Sequence, residues 1–358
     1  MSLSRICGGL IIGGFAGPEL SASFSNALTH GERGGAILFK RNLSSDFFEV
    51  AELTRQIVAA CDTPPIVAID QEGGRVARLK SPFVTVPPLR RLASASDDAL
   101  VDLAARAQAA ELKALGFSTG FSPVLDVNTR AENPIIGDRA FGSDPEVVAR
   151  LGLWYVAELQ RGGVFACAKH YPGHGDTSVD SHLDLPVVDR AIAEFERVDL
   201  GPFAAAAKAG VAAMMSAHVV YSAIDPENPA TLSHALCTFY LREKLGFSGV
   251  LFSDDLEMKA IAARMSIEDS ATGGIAAGCD ALLICSDERL QDRAFEALIK
   301  RAESDSAFRA RCEEAAARMT RLRLAYAPTP LAPSALRAFF PSQQSAAFSA
   351  ALATRGLS

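Results

Sequence analysis

The chain has 358 residues, enough for two domains or for one large α/β barrel with additions. Hydrophobic residues at 49% and charged residues at 22% exclude a mostly disordered chain, a collagen-like chain and a coiled coil. Against 42 acidic side chains there are 35 basic ones, a net charge of -7, so there is no basic field for gripping a phosphate backbone and nucleic acid is not an expected partner. One Trp (Trp154) and five Tyr are few for stacking a long run of sugars or bases, which favours a small pocket over a long groove. The seven cysteines are scattered without a CxxC pair, as buried thiols in a reducing compartment are. The one segment resembling a signal peptide, Ile6 to Gly17, is short and Gly-rich and reads as a core strand. No stretch is long enough to span a bilayer, so a cytoplasmic protein without a membrane partner is expected.

In chain order, eight short apolar runs recur, each followed by a helical-looking stretch. They are Gly9 to Phe15, Ala36 to Lys40, Pro65 to Asp70, Gly120 to Asp126, Phe165 to His170, Ala212 to His218, Val250 to Asp255 and Ala281 to Cys285. Near-continuous hydrophobicity is the mark of strands buried on both faces, and its alternation with helices predicts a single (β/α)8 TIM-type barrel. Asp97 to Leu115, Asp144 to Gln160, Ala191 to Ala207 and Ser266 to Ala277 carry apolar residues at helical spacing. Gly116, Gly162, Gly210 and Gly278 stand where these helices should stop. Beyond Ser286, helical segments run to about Leu324, followed by a linker punctuated by Pro328, Pro330 and Pro333 and a last helical stretch. The expected organisation is a catalytic barrel over residues 1–325 with C-terminal flanking helices, the linker and appendage of residues 326–358.

A barrel carries its chemistry at the C-terminal ends of its strands, so polar residues that close apolar runs are site candidates. Asp70, Asp126 with Asn128, Lys169 with His170, Ser216 with His218, and Asp254 with Asp255 close five neighbouring runs. The stretch from Lys169 to His182 holds three of the six histidines in a Gly- and Pro-rich loop. One reading of it is a metal site built from His170, His174, Asp176 and His182, which would make the protein a metal-dependent hydrolase. The other pairs Asp180 with His182, the carboxylate fixing the imidazole tautomer and the imidazole moving a proton. Asp254 and Asp255 point in different directions on a strand, so one can face the mouth as a nucleophile while the other caps the next helix. In Asp70-Gln71-Glu72-Gly73-Gly74-Arg75 and the following Arg78, glycines let backbone approach a ligand, the carboxylate can accept two sugar hydroxyls and arginine supplies planar donors. Asn133 to Gly142 offers a further arginine, Arg139.

These blocks, in this order, resemble family 3 glycoside hydrolases, specifically the bacterial β-N-acetylglucosaminidases of peptidoglycan recycling. The resemblance runs from Gly34-Gly35-Ala36-Ile37-Leu38-Phe39 through the Asp70 and Gly137-Asp138-Arg139 blocks to Lys169-His170-Tyr171-Pro172-Gly173-His174-Gly175-Asp176, Ser253-Asp254-Asp255-Leu256 and Ala277-Gly278-Cys279-Asp280. Tyr171 departs from the Phe more usual there. The resemblance implies that Asp254 is a nucleophile and that His182, oriented by Asp180, is the general acid/base. It also implies that Asp70, Arg78, Arg139, Lys169 and His170 hold N-acetylglucosamine, with no cofactor or metal required. A histidine suits the acid role. A carboxylic acid would have to be raised by about 2 to 3 units to donate a proton at neutral pH, whereas imidazole starts near 6.5. The substrate so implied is a small carbohydrate, a muropeptide fragment in which terminal N-acetylglucosamine is linked to 1,6-anhydro-N-acetylmuramic acid. A non-catalytic amino-sugar-binding protein is the remaining alternative.

Overall fold

The computed structural model describes residues 2–95, 97–177 and 185–357. At its centre lies a parallel sheet of seven strands: β1 (Ile11–Gly13), β2 (Gly35–Leu38), β3 (Ile66–Ile69), β4 (Cys167–Tyr171), β5 (Ala213–Ser216), β6 (Val250–Asp255) and β7 (Ala281–Ile284). Their spatial order is β3-β2-β1-β7-β6-β5-β4. Helices cover the sheet, so the strands are buried along nearly their whole length. That is why their sequences are apolar runs and not alternating ones.

Helix boundaries follow local chemistry. The side chains of Asp97, Asp144 and Ser266 each accept from a backbone N–H in the first turn of helices Asp98–Leu115, Pro145–Arg161 and Ile267–Ala277. Gly116, at φ 85°, closes the first of these in the left-handed region. The stretch expected as one helix from Ala191 to Ala207 is two, Ile192–Arg197 and Gly201–Lys208. Pro202 sits in the first turn of the second, where its missing N–H costs nothing but a continuous helix could not pass.

The closed eight-stranded barrel expected from the sequence does not form. The run from Gly120 to Asp126 is not a strand; among the described residues this region makes two isolated parallel bridges, Ala68 with Thr119 and Val124 with Lys169. The sheet is open and curled, with β3 and β4 as its edges. Pro123 has no N–H for a ladder, and Phe121 takes φ 39°, which extended backbone cannot contain. The edges are still satisfied: Ile69 N donates to Thr119 O, Gln71 N to Gly120 O, and Leu125 N to Lys169 O. A second correction concerns Ile6 to Gly17, where Leu3–Gly8 is a helix and only Ile11–Gly13 is strand. Hydropathy alone does not separate a short buried helix from a strand.

Helices Glu288–Ser304 and Ser306–Ala325 complete the flank, and the tail adds Pro333–Phe339 and Gln343–Thr354. The last packs on helix Asp98–Leu115, where Ser345 donates to the buried Glu111 carboxylate. Leu336, Phe348 and Leu352 join the common core. Among the described residues no helix is long and apolar enough to cross a membrane.

Phe348 is fully buried. Phe348→Ala should therefore remove about 3 kcal/mol of stability in urea denaturation while leaving one cooperative transition. A loss below about 1 kcal/mol would show that the tail helix is not part of the cooperative unit.

Candidate active site

The polar residues converge where β3, β4 and β6 end. Asp70 follows β3 directly and accepts from Arg78 Nη2 at 2.8 Å and from Lys169 Nζ at 3.2 Å. Two residues on, Glu72 is 2% exposed and takes three charged contacts. Arg139 donates to both of its oxygens at 2.8 Å, and Lys169 Nζ lies 2.7 Å from Oε1. Burial pushes the Glu72 carboxyl up, but Arg139 and Lys169 outweigh it and hold the group well below the usual carboxylate range. Asp70 is likewise pushed up by burial and brought below its ordinary value by Lys169 and Arg78. In the other direction, burial works against the Lys169 ammonium, and Glu72 and Asp70 more than restore it.

Arg139 reaches further, placing Nη2 3.3 Å from His170 Nε2. His170 Nδ1 lies 2.8 Å from Asp126 Oδ2; a carboxylate only accepts, so Nδ1 carries the proton and Nε2 presents its lone pair to Arg139. Asp126, fully buried, also accepts from the backbone N–H groups of His170 and His174. One carboxylate thereby sets both the ring of His170 and the course of the loop after it. His174 itself is buried, with Nδ1 2.8 Å from Thr177 Oγ1, and burial lowers it to about 4. The phenol of Tyr171 is satisfied by donating to Leu236 O, so this departure from the family pattern leaves no polar group orphaned.

Bulges sharpen the aim of two strand ends. Between the pairs Phe252↔Ala281 and Asp255↔Leu283, β6 spends one residue more than β7, and between Lys169↔Met215 and Tyr171↔Ser216, β4 spends one more than β5. Such an extra residue re-aims side chains at a strand end. Asp254 is half-buried and its Oδ1 accepts from the next backbone N–H. Asp255 instead accepts from the N–H groups of Glu257 and Cys285, bracing β6 against β7. Burial, helped by the neighbouring charges of Glu257 and Asp254, raises Asp255 to about 7. Because β6 runs parallel to β5 and β5 to β4, Asp254 near the end of β6 stands at the same end of the sheet as Lys169 and His170.

The structure thus brings Asp70, Arg78, Arg139, Lys169 and His170 into one connected network through Glu72, with Asp254 at the same end of the sheet. Asp180 and His182 lie outside the described residues. Among the described residues no group of three or more His, Cys, Asp or Glu could hold a metal ion. Two organising carboxylates were not assigned these roles from the sequence. In the sequence Glu72 lies within the Asp70 to Arg75 block with no role of its own, and Asp126 only closes an apolar run.

Residues 10–322 match the N terminal domain of glycosyl hydrolase family 3. The chain belongs to this family and is a glycoside hydrolase. It is similar to the β-hexosaminidase of Nitrosomonas eutropha, 40% identical over 289 residues, 79% of this chain and 82% of that protein. Among solved structures it resembles NagZ from Neisseria gonorrhoeae in complex with N-trifluoroacetyl-D-glucosamine, with a TM-score of 0.82, 32% identity and 98% coverage of both chains. It also resembles the family 3 β-N-acetylglucosaminidase of Paenibacillus sp., with a TM-score of 0.89 and 37% identity, covering 93% of this chain and 64% of that longer one.

Two outcomes test this electrostatic picture. Glu72→Gln leaves two buried cations short of a counter-charge and should cost about 3 kcal/mol or more in chemical denaturation; a cost under 1 kcal/mol would mean that Glu72 does not hold them. For His174, the unfolded chain takes up a proton near pH 6.5 while the folded one resists until about 4. Its contribution to stability, present above pH 6.5, is therefore lost as pH falls from 6.5 to 4, by up to about 3 kcal/mol. His174→Gln should lose less stability than the wild type over that window in pH-resolved thermal melts; parallel curves would contradict the assignment.

Proposed function

We propose that the protein is a retaining exo-β-N-acetylglucosaminidase that removes terminal N-acetylglucosamine from muropeptide fragments ending in 1,6-anhydro-N-acetylmuramic acid. The observation that carries this reading is the connected network of Asp70, Lys169, Glu72, Arg139 and His170, at the end of the sheet where Asp254 also stands, in a chain of glycoside hydrolase family 3. The names of its relatives supply the amino-sugar preference, and the sequence blocks around Lys169 to His182 supply the acid/base pair.

In this mechanism Asp70 accepts hydrogen bonds from sugar hydroxyls, and Arg78, Arg139, Lys169 and His170 orient the ring. Asp254, the less tethered of the adjacent pair, attacks the anomeric carbon while His182, oriented by Asp180, gives its proton to the leaving oxygen. A glycosyl ester on Asp254 results. Water that loses its proton to His182 then attacks the same carbon from the opposite side, returning Asp254 and releasing the sugar with its original configuration. The chain is net negative and so is the fragment, so the local cations at the mouth must supply the attraction that the long-range field does not.

Asp254→Asn should lower turnover of a chromogenic N-acetyl-β-glucosaminide by at least about a thousandfold, roughly 4 kcal/mol of barrier. Asp255→Asn keeps one acceptor for the Glu257 and Cys285 amides and should act mainly on stability. The reverse ranking would overturn the nucleophile assignment. A faster wild-type reaction on the matching β-glucoside would overturn the amino-sugar preference.

A further inference from the structure

We propose that His218 is a positioning residue for the nucleophile, holding the end of β6 on the side where that strand has parted from β5. This rests on the role given to Asp254 above. His218 follows β5, is 1% exposed, and places Nε2 3.0 Å from Asp255 O, the backbone carbonyl one residue past Asp254. A carbonyl only accepts, so Nε2 carries a proton and donates it. On the other side of the ring, Nδ1 lies 2.8 Å from Thr231 Oγ1. The Thr231 hydroxyl in turn lies 2.8 Å from Ser216 Oγ and 3.1 Å from Ala217 O.

The need for such a tie comes from the register. β6 pairs with β5 at Val250↔Ala213, Leu251↔Met214 and Phe252↔Met215. On its other flank it pairs with β7 at Phe252↔Ala281 and, after the extra residue, at Asp255↔Leu283. Past Phe252 the two flanks differ. Toward β7, Ser253 Oγ accepts from Leu283 N, Leu256 N donates to Leu283 O, and Asp255 Oδ1 accepts from Cys285 N. Toward β5 the paired register stops at Phe252, and the chain after Ser216 turns to β4, where Ala217 N donates to Tyr171 O. His218 reaches back across that gap with its side chain. The Asp255 carbonyl that it meets also accepts from Met258 N, so the residue after the nucleophile is held at its carbonyl as well as at its carboxylate.

The bulge that re-aims Asp254 also removes the regular ladder that would otherwise fix its direction. Oδ1 of Asp254 accepts from Asp255 N, so the carboxylate takes its direction from the residue that follows, and a shift of Asp255 is passed on to it. A nucleophile needs that direction, since a misplacement of about 1 Å can cost a hundredfold in rate. An imidazole met at both ring nitrogens and buried in the fold is a rigid strut for the purpose. Glutamine would present a donor at nearly the same place on a more flexible stem, and leucine would fill the space with no donor at all. Sugar binding is assigned to the network around Glu72, so a fault at His218 falls on the attack and spares the affinity for the sugar.

The test is kcat/KM on 2,4-dinitrophenyl N-acetyl-β-glucosaminide, whose leaving group needs little acid assistance, so that the rate reads the attack that forms the glycosyl ester. His218→Leu should lower it by at least about tenfold, with inhibition by free N-acetylglucosamine changed by less than about threefold. His218→Gln, which restores a donor, should recover at least about threefold of that loss. In an Asp254→Ala background azide supplies the nucleophile: it bonds to the anomeric carbon as dinitrophenolate leaves, giving the α-glycosyl azide. There His218→Leu should cost no more than about a further twofold, because no carboxylate remains to be positioned. A smaller loss in the first comparison, a matching loss of sugar affinity, no recovery by His218→Gln, or losses that multiply in the azide reaction overturn the proposal. Should His218→Leu not fold, Thr231→Val, which removes the hydroxyl beside Nδ1, is read in the same way and must lower kcat/KM by at least about threefold. Asp254→Ala alone keeps the two readings apart. If azide does not restore its turnover, the nucleophile assignment fails and this proposal with it; if azide restores it and His218→Leu shows no loss, only the tie is wrong.

Discussion

A single buried carboxylate, Glu72, takes Arg139 at both oxygens and Lys169 at one, and the geometry of the mouth follows from it. Two cations from distant parts of the chain are thereby held side by side in a region that desolvates them. Without the carboxylate their mutual repulsion and the loss of water would drive them apart. With it, Lys169 stays charged and in turn keeps Asp70 ionised, and Arg139 presents a nitrogen to His170. The arrangement is oriented before any sugar arrives, which is the condition under which fixed charges assist a reaction most.

The open edge of the sheet belongs to the same design. Residues 117–128 run between β3 and β4 without joining either as a strand, and this frees their end to deliver Asp126 under His170 and His174. A regular strand would have continued the ladder; Phe121 and Pro123 interrupt it and leave the last residues to turn. Asp126 then does for the histidine loop what Glu72 does for the cations. Each buried acid is satisfied by several donors, so each contributes direction without leaving an orphaned polar group.

Much of this was legible in the sequence. Seven apolar runs predicted the seven strands to within a few residues, since a buried parallel strand has a distinctive composition. The eighth, Gly120 to Asp126, has the same composition, and its failure turns on one proline and one backbone angle that a hydropathy pattern does not weigh. Asp70, Arg78, Arg139, Lys169 and His170 were legible as polar residues in or after strand ends. Glu72 was not singled out, because an acid two residues from another acid looks like a solvated turn until the fold brings Arg139 across 67 positions to meet it. Arg190 and Asp199 were not singled out, because nothing in their spacing distinguishes a buried ion pair from surface charges, and Asp176 entered only as a member of the metal-site reading. Asp180 and His182 lie outside the described residues, so their part in the account still stands on the sequence.

The most direct measurement of the central claim is peptide mapping by mass spectrometry after reaction with a 5-fluoro N-acetylglucosaminyl fluoride, a substrate whose glycosyl-enzyme forms faster than it is hydrolysed. The account predicts one sugar attached per chain, on the peptide that holds Asp254, with fragmentation assigning it to that residue. Attachment at Asp255, or rapid turnover with the inverted sugar released and no adduct formed, would contradict it.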